Sequence, residues 1–427
     1  MNPAPRSSLS LLASVLLLAA GPIGAVETAH WPQWRGPAHS GSTTGGTLPT
    51  KVGPAEVRWQ VALPGKGCST PVVWGNRIYV TAPVEGKDAL IAFDLDGKKL
   101  WQTTFAGESP GRHRNGSGSN PSPVTDGQGI FVQFKSGQFA AVNPDGSIRW
   151  QINLVEKYGP VRLFWDYGSS PVLTERHVVV ARMHEGESWL AAFDKATGEL
   201  RWKTPRNYET PREVDNGYTT PLVVRHEGRE ALLTWGAQHL TLHDAADGKL
   251  VWSCGDFNPE NTVFWPAVAT PVVAQGIAVV CFGRADRGTP RLHGIKLAGK
   301  GDVTATHRVW KREDVGSFVP SPVEYKGLVY ILSDRGQLDC LDPLTGRTLW
   351  SEALPRASSN FYASPVIADG VLYSVREDGA VYVARVEGGF RLLSESKFDD
   401  RVIASIVPVK DRVLVRGEKF LYCVAKK

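Results

Sequence analysis

Short runs of alternating apolar and polar residues dominate this chain, and no stretch repeats its apolar positions at helical spacing. Arg77-Ile78-Tyr79-Val80 and Gly327-Leu328-Val329-Tyr330-Ile331 are examples, and their β-branched and aromatic content predicts strands. Each is followed by a second strand ending in an acidic turn. A hairpin then leads to tryptophan: Asp94 to Trp101, Asn143 to Trp150, Asp194 to Trp202, Asp244 to Trp252 and Asp342 to Trp350. Glycine sits at each hairpin tip (Gly97, Gly146, Gly198, Gly248, Gly346), where a tight turn needs positive φ. Four short strands per unit are predicted.

The units recur. Ser or Thr followed by Pro and an aliphatic residue occurs at Thr70-Pro71-Val72, Ser122-Pro123-Val124, Ser170-Pro171-Val172, Thr220-Pro221-Leu222, Thr270-Pro271-Val272, Ser321-Pro322-Val323 and Ser364-Pro365-Val366, with a degenerate copy at Ser405-Ile406-Val407. The steps are 52, 48, 50, 50, 51, 43 and 41 residues, a period that means stacked supersecondary units. The last unit lacks a Trp strand, and Val57-Arg58-Trp59-Gln60 is a Trp strand without predecessors. Pairing the two predicts an all-β, eight-bladed β-propeller of four-stranded antiparallel blades, its last blade closed by the strand around Trp59. Closure leaves no long sheet edge open to aggregation. The Ser/Thr column is expected to satisfy backbone groups where each inner strand begins, and the tryptophans to fill gaps between blades.

Length and composition then refine this picture. At 427 residues two or three domains would be usual, but the period favours one ring over residues 57–427, preceded by an arm over 26–56. Residues 1–25 carry one charge, Arg6, then an apolar run from Leu9 to Ala20 and a small-residue end, which predicts an export signal. No cysteine follows it before Cys68, so no lipid anchor is expected, nor any transmembrane segment. The expected location is periplasmic or secreted, and the expected state monomeric. A net charge of +5 with no Lys/Arg run excludes nucleic acid as a partner. Five cysteines leave at least one unpaired, and a Cys254–Cys281 bridge stays open. No C-x-x-C is present, and Cys340 and Cys423 read as interior strand residues.

The run Ala192-Phe193-Asp194-Lys195-Ala196-Thr197-Gly198-Glu199-Leu200-Arg201-Trp202 resembles the tryptophan-docking repeat of quinoprotein propellers, and the likeness extends over about residues 31–425. Trp31-Pro32-Gln33-Trp34-Arg35-Gly36-Pro37 resembles the arm of exported bacterial PQQ-like propeller proteins. The resemblance implies two alternatives, because the fold hosts enzymes and scaffolds alike. Quinoprotein alcohol and sugar dehydrogenases hold pyrroloquinoline quinone (PQQ) with Ca²⁺ and an Asp base, and many have a disulfide between adjacent cysteines. The propeller lipoprotein of the outer-membrane β-barrel assembly machinery binds proteins and no quinone. This chain lacks the adjacent cysteines and the lipid-anchor cysteine.

The longest loops between blades are those leading into blades two to five, and binding groups concentrate on such loops. They carry Arg112, His113, Arg114 and Asn115; Trp165 and Asp166; Asn216 and Tyr218; Asn261 and Trp265. Tyr362 and Arg401 approach from the far side. Aromatic planes beside amides, carboxylates and guanidiniums suit a protein, peptide or carbohydrate ligand. The expectation is a non-catalytic scaffold without cofactor or metal. Under the quinone alternative, with PQQ and calcium, Asp166, Asp215 or Asp400 is the candidate base. His239 and His243, four apart in a strand–turn context, are not expected to share a face or form a metal pair.

Overall fold

The computed structural model describes Met1, residues 30–284 and residues 290–426. The expected export signal thus falls, beyond Met1, outside the described residues. Eight antiparallel four-stranded sheets follow one another along the chain, three of them with one added short strand. The first blade comprises Val72–Trp74, Arg77–Val84, Lys87–Asp94 and Lys99–Thr104. Its third strand is buried continuously from Asp88 to Phe93, while the outer strand alternates between exposed and half-buried positions. Inner strands lie between two neighbouring blades and are covered on both faces, so they read as unbroken apolar runs. Outer strands face solvent on one side.

The ring closes as the sequence predicts. Val57–Ala62 pairs antiparallel with Phe420–Ala425, with Trp59 opposite Cys423 and Val61 opposite Leu421. All five cysteines are free thiols, and Cys254, Cys281, Cys340 and Cys423 are buried. Among the described residues no helix is long and apolar enough to cross a membrane. One expectation needs correction: His239 and His243 both lie on the strand His239–Asp244. Positions four apart on a strand do share a face, but roughly 13 Å separates them, too far for one metal. His239 instead stacks on Tyr208 at 3.7 Å, and burial pulls the His243 imidazole down to about 3.

Neighbouring blades are joined by the tryptophans. The Trp101 indole donates to the Pro144 carbonyl at 3.0 Å, and its ring lies against Gly146 of the next blade. A Cβ at Gly146 would sit 2.8 Å from that ring, and φ there is +94°. Only glycine fits such a position. The same indole-to-carbonyl bond joins Trp59 to Leu95, Trp150 to Lys195 and Trp202 to Ala245. Blade five departs from the pattern. Its outer hairpin inserts Gly301–Asp302 and a short helix, Thr304–His307, and Gly301–Asp302 pairs in parallel with blade four beside Trp252. Trp252 is fully buried as a result.

The arm crosses the central channel. His30–Trp31 pairs with the innermost strand of blade one, and Ser42–Thr43 runs parallel to that of blade seven. Between them, the Pro32 carbonyl accepts from Thr125 N of blade two, and the Ser40 carbonyl from Glu324 N of blade six. Arg35, 2% exposed, donates to the carbonyls of Pro322, Pro365 and Ser40. Burial pulls its guanidinium down to about 9, still a cation at neutral pH. The chain then follows blade seven outward, where Tyr373 Oη and Ser394 Oγ donate to the carbonyls of Pro49 and Thr50.

Candidate functional site

The Ser/Thr column forms a belt. The backbone N–H of Thr70 donates to Ser122 Oγ, Ser122 to Ser170, Ser170 to Thr220, Thr220 to Thr270, Thr270 to Ser321 and Ser321 to Ser364, all at 2.9–3.1 Å. Ser405 N to Thr70 Oγ1, at 3.3 Å, carries the belt across the junction of last and first blades. Seven of the eight hydroxyls, all but that of Ser405, therefore satisfy a buried amide of the preceding blade. Because eight inner strands converge on one axis, the same side chains also ring a central cavity of about 700 Å³. Trp34 of the arm lines this cavity too, so the arm supplies its floor.

Six of the expected site residues line the cavity: His113, Asn115, Trp165, Asp166, Tyr218 and Tyr362. Loop–loop bonds bring them there. The Tyr218 hydroxyl accepts from Trp165 N at 2.8 Å, Tyr218 N donates to the Ala267 carbonyl, and His113 packs on Trp165 with ring centroids 4.1 Å apart. Phe164 and Trp165 remain 55% and 37% exposed, which puts aromatic surface at the mouth. Arg114 and Arg401 bracket the buried Glu377 carboxylate, and Arg401 also donates to Asn115 Oδ1. Those contacts tie the loop before blade two to blades seven and eight, across the junction of the ring.

The other expected residues lie elsewhere. Arg112 is exposed and donates to the Leu163 carbonyl. Asn216 is buried beneath the loops, with Nδ2 on the Glu213 carbonyl. Asn261 is an exposed turn residue with φ of 53°. Trp265 is 5% exposed and belongs to the core cluster containing Phe257 and Phe282. Asp215 lines a separate cavity of about 300 Å³ with Arg206 and Tyr208, where burial and the nearby Glu185 charge raise its carboxyl. Sequence reading missed Trp34, Phe318, Asp334 and Arg335. Trp34 lies in a segment with no repeat signal, and the other three belong to the shortest loops and turns.

The carboxylates have structural duties. Asp166 accepts from Arg112 N, His113 N and Lys135 Nζ, the last at 2.6 Å. Burial opposes its ionisation, but those donors prevail and hold the carboxyl below its usual range. Asp400 accepts from the amides of Glu418, Lys419 and Phe420 and from Tyr422 Oη. Asp334 accepts from Phe318 N and Val319 N. Asp166→Asn is expected to lower stability by about 1–3 kcal/mol at pH 7. Since the folded pKa is depressed, wild-type stability from this group is full above the unfolded value near 4 and fades as pH falls through the folded value. Urea unfolding at pH 7 and pH 3 checks this: the gap between variant and wild type should narrow at pH 3.

The profile described as "Outer membrane protein assembly factor BamB" matches residues 43–253, 165–298 and 236–397. The Yersinia pestis protein of that name is 24% identical over 316 residues, covering 72% of this chain and 69% of its own. Among solved structures, BamB from Moraxella catarrhalis aligns with a TM-score of 0.61 at 15% identity, covering 87% of this chain and 97% of that one. Quinohemoprotein alcohol dehydrogenase from Comamonas testosteroni aligns at 0.69 and 13%, covering 94% and 81%. Both structural likenesses concern the fold. With the repeat period, the docked tryptophans and a profile match across most of its length, the chain belongs to the BamB family of PQQ-like β-propeller repeat proteins.

Proposed function

We propose that this protein is an exported, non-catalytic scaffold that binds a polypeptide at its loop-rich face, in the assembly of outer membrane proteins. One observation carries the reading. Both carboxylates lining the cavity, Asp166 and Asp334, are occupied as acceptors for the protein's own donors, while Phe164 and Trp165 stand exposed at the rim. Such a mouth holds a ligand and offers no uncommitted carboxylate as a base. Relatives named as assembly factors support a protein as the ligand.

The dehydrogenases of this fold use PQQ held with calcium, and the donor set here does not suit that group. Among the described residues no three His, Cys, Asp or Glu side chains are grouped to hold a metal. Asp400 is enclosed by three amides and a phenol, with no oxygen left facing the cavity lining. The test is a titration of the purified protein with fluorescein-labelled porin diluted from urea. Saturable binding that is lost in Trp165→Asp is expected. PQQ and Ca²⁺ supporting alcohol- or sugar-dependent dye reduction, or an absence of porin binding, overturns the reading.

A further inference from the structure

The seven hydroxyls that accept a belt amide have no acceptor for their own hydrogens among the described residues, and all seven line the cavity. A hydroxyl that accepts one bond keeps one donor. The cavity thus presents a circle of donors with nothing protein-borne to receive them. Arg335 lines the same space, is exposed, and makes no hydrogen bond or ion pair among the described residues. The two lining carboxylates cannot answer these donors, being held by Lys135 and by backbone amides. What enters must therefore bring acceptors, and a carboxylate is the strongest available from a polypeptide.

The remaining surface is apolar and aromatic. Phe318, Val319 and Ile403 form part of the wall and Trp34 the floor. Trp34 is half-buried, with the Arg35 guanidinium 5.4 Å from its ring centroid. Arg35 is itself fastened to the carbonyls of blades six and seven, so this floor is held in place. A volume of about 700 Å³ exceeds what one side chain fills and lies within the range of pockets that enclose a whole small ligand.

We infer that the cavity is a subsite for an aromatic residue flanked by acidic ones in the bound polypeptide, with Trp34 contacting the aromatic ring and the hydroxyl belt and Arg335 receiving the carboxylates. The inference rests on the reading of the mouth as a polypeptide site, and its test separates the two. The probe is N-acetyl-Asp-Phe-Asp-amide, titrated by calorimetry into wild type, Trp34→Ala and Trp34→Phe. Trp34→Phe keeps an aromatic floor should the alanine variant disturb the arm, and thermal melting checks both folds. Wild type is expected to bind the peptide at least about tenfold more tightly than its Asp-Ala-Asp and Lys-Phe-Lys counterparts. Trp34→Ala should lose about tenfold in affinity and Trp34→Phe no more than about threefold. Unchanged binding in Trp34→Ala, equal binding of the three peptides, or tighter binding of cellotriose than of the acidic peptide overturns the subsite. If labelled porin binds but the tripeptide does not, the subsite falls and the mouth reading stands.

Discussion

Trp252→Ala is expected to lower the unfolding free energy by about 3–5 kcal/mol, while Trp101→Ala, at the corresponding position of blade one, lowers it by about 1–2 kcal/mol. The two residues occupy the same place in the repeat and make the same indole-to-carbonyl bond, to Leu297 and Pro144 respectively, at 3.0 Å. They differ in cover. Trp252 has no exposed surface, because the inserted strand Gly301–Asp302 lies alongside it, and it sits among Trp235, Phe257 and Ile295. Trp101 is half-buried. Truncation at the first site leaves a cavity that rigid sheets on both sides cannot close, whereas water can enter at the second. Urea midpoints of the two variants decide the matter, and equal losses would refute the role of the insertion.

Arg35→Met is expected to lower stability by about 3 kcal/mol. Methionine removes the burden of burying a charge, which by itself favours the variant. Against that stand two buried carbonyls, those of Pro322 and Pro365, which lose their donor, while that of Ser40 keeps Glu324 N. Each unsatisfied group costs about 1–3 kcal/mol, so the loss outweighs the gain. The neighbouring Gly41 lies so close to the guanidinium that a Cβ there would fall 2.0 Å from Nη2, so little can shift to compensate. Hydrogen exchange locates the effect: the amides of Thr125, Glu324 and Ile367, which donate to the arm, should exchange faster, with those of the blade rims unaffected. An unchanged midpoint would show that the arm is held by its strand pairings alone.

The repeat made the ring legible. The Ser/Thr column recurs eight times and the glycine-tipped hairpin with its tryptophan five times because the blades solve the same packing problem, so the copies reinforce one inference. The insertion at blade five was not legible, since Gly301 and Thr304 carry no repeat signal and are placed by contact with another blade. The arm was legible as a segment, but its course across the channel was not, because Arg35 bonds to carbonyls of blades six and seven, which any sequence possesses. Site residues were read from loop position alone, and that criterion brought His113, Asn115, Trp165, Asp166, Tyr218 and Tyr362 to the cavity. It could not tell that Trp265 turns inward onto Phe282, or that Asp400 closes a hairpin of its own blade. The belt was visible as a column, but its position around a cavity follows only from the convergence of eight strands.

Closing the ring with Val57–Ala62 against Phe420–Ala425 also dictates an order of events. The strand synthesised first among the blades must wait, unpaired, until the last one has been made. Blades one to seven can each form from contiguous chain, but the eighth requires a contact spanning nearly the whole length, and such contacts form slowly. Until then both flanks of the growing arc remain open to other chains. A molecule built this way gains its full resistance to unfolding in a single late step, and any nascent chain released short of residue 420 is an arc without a lock.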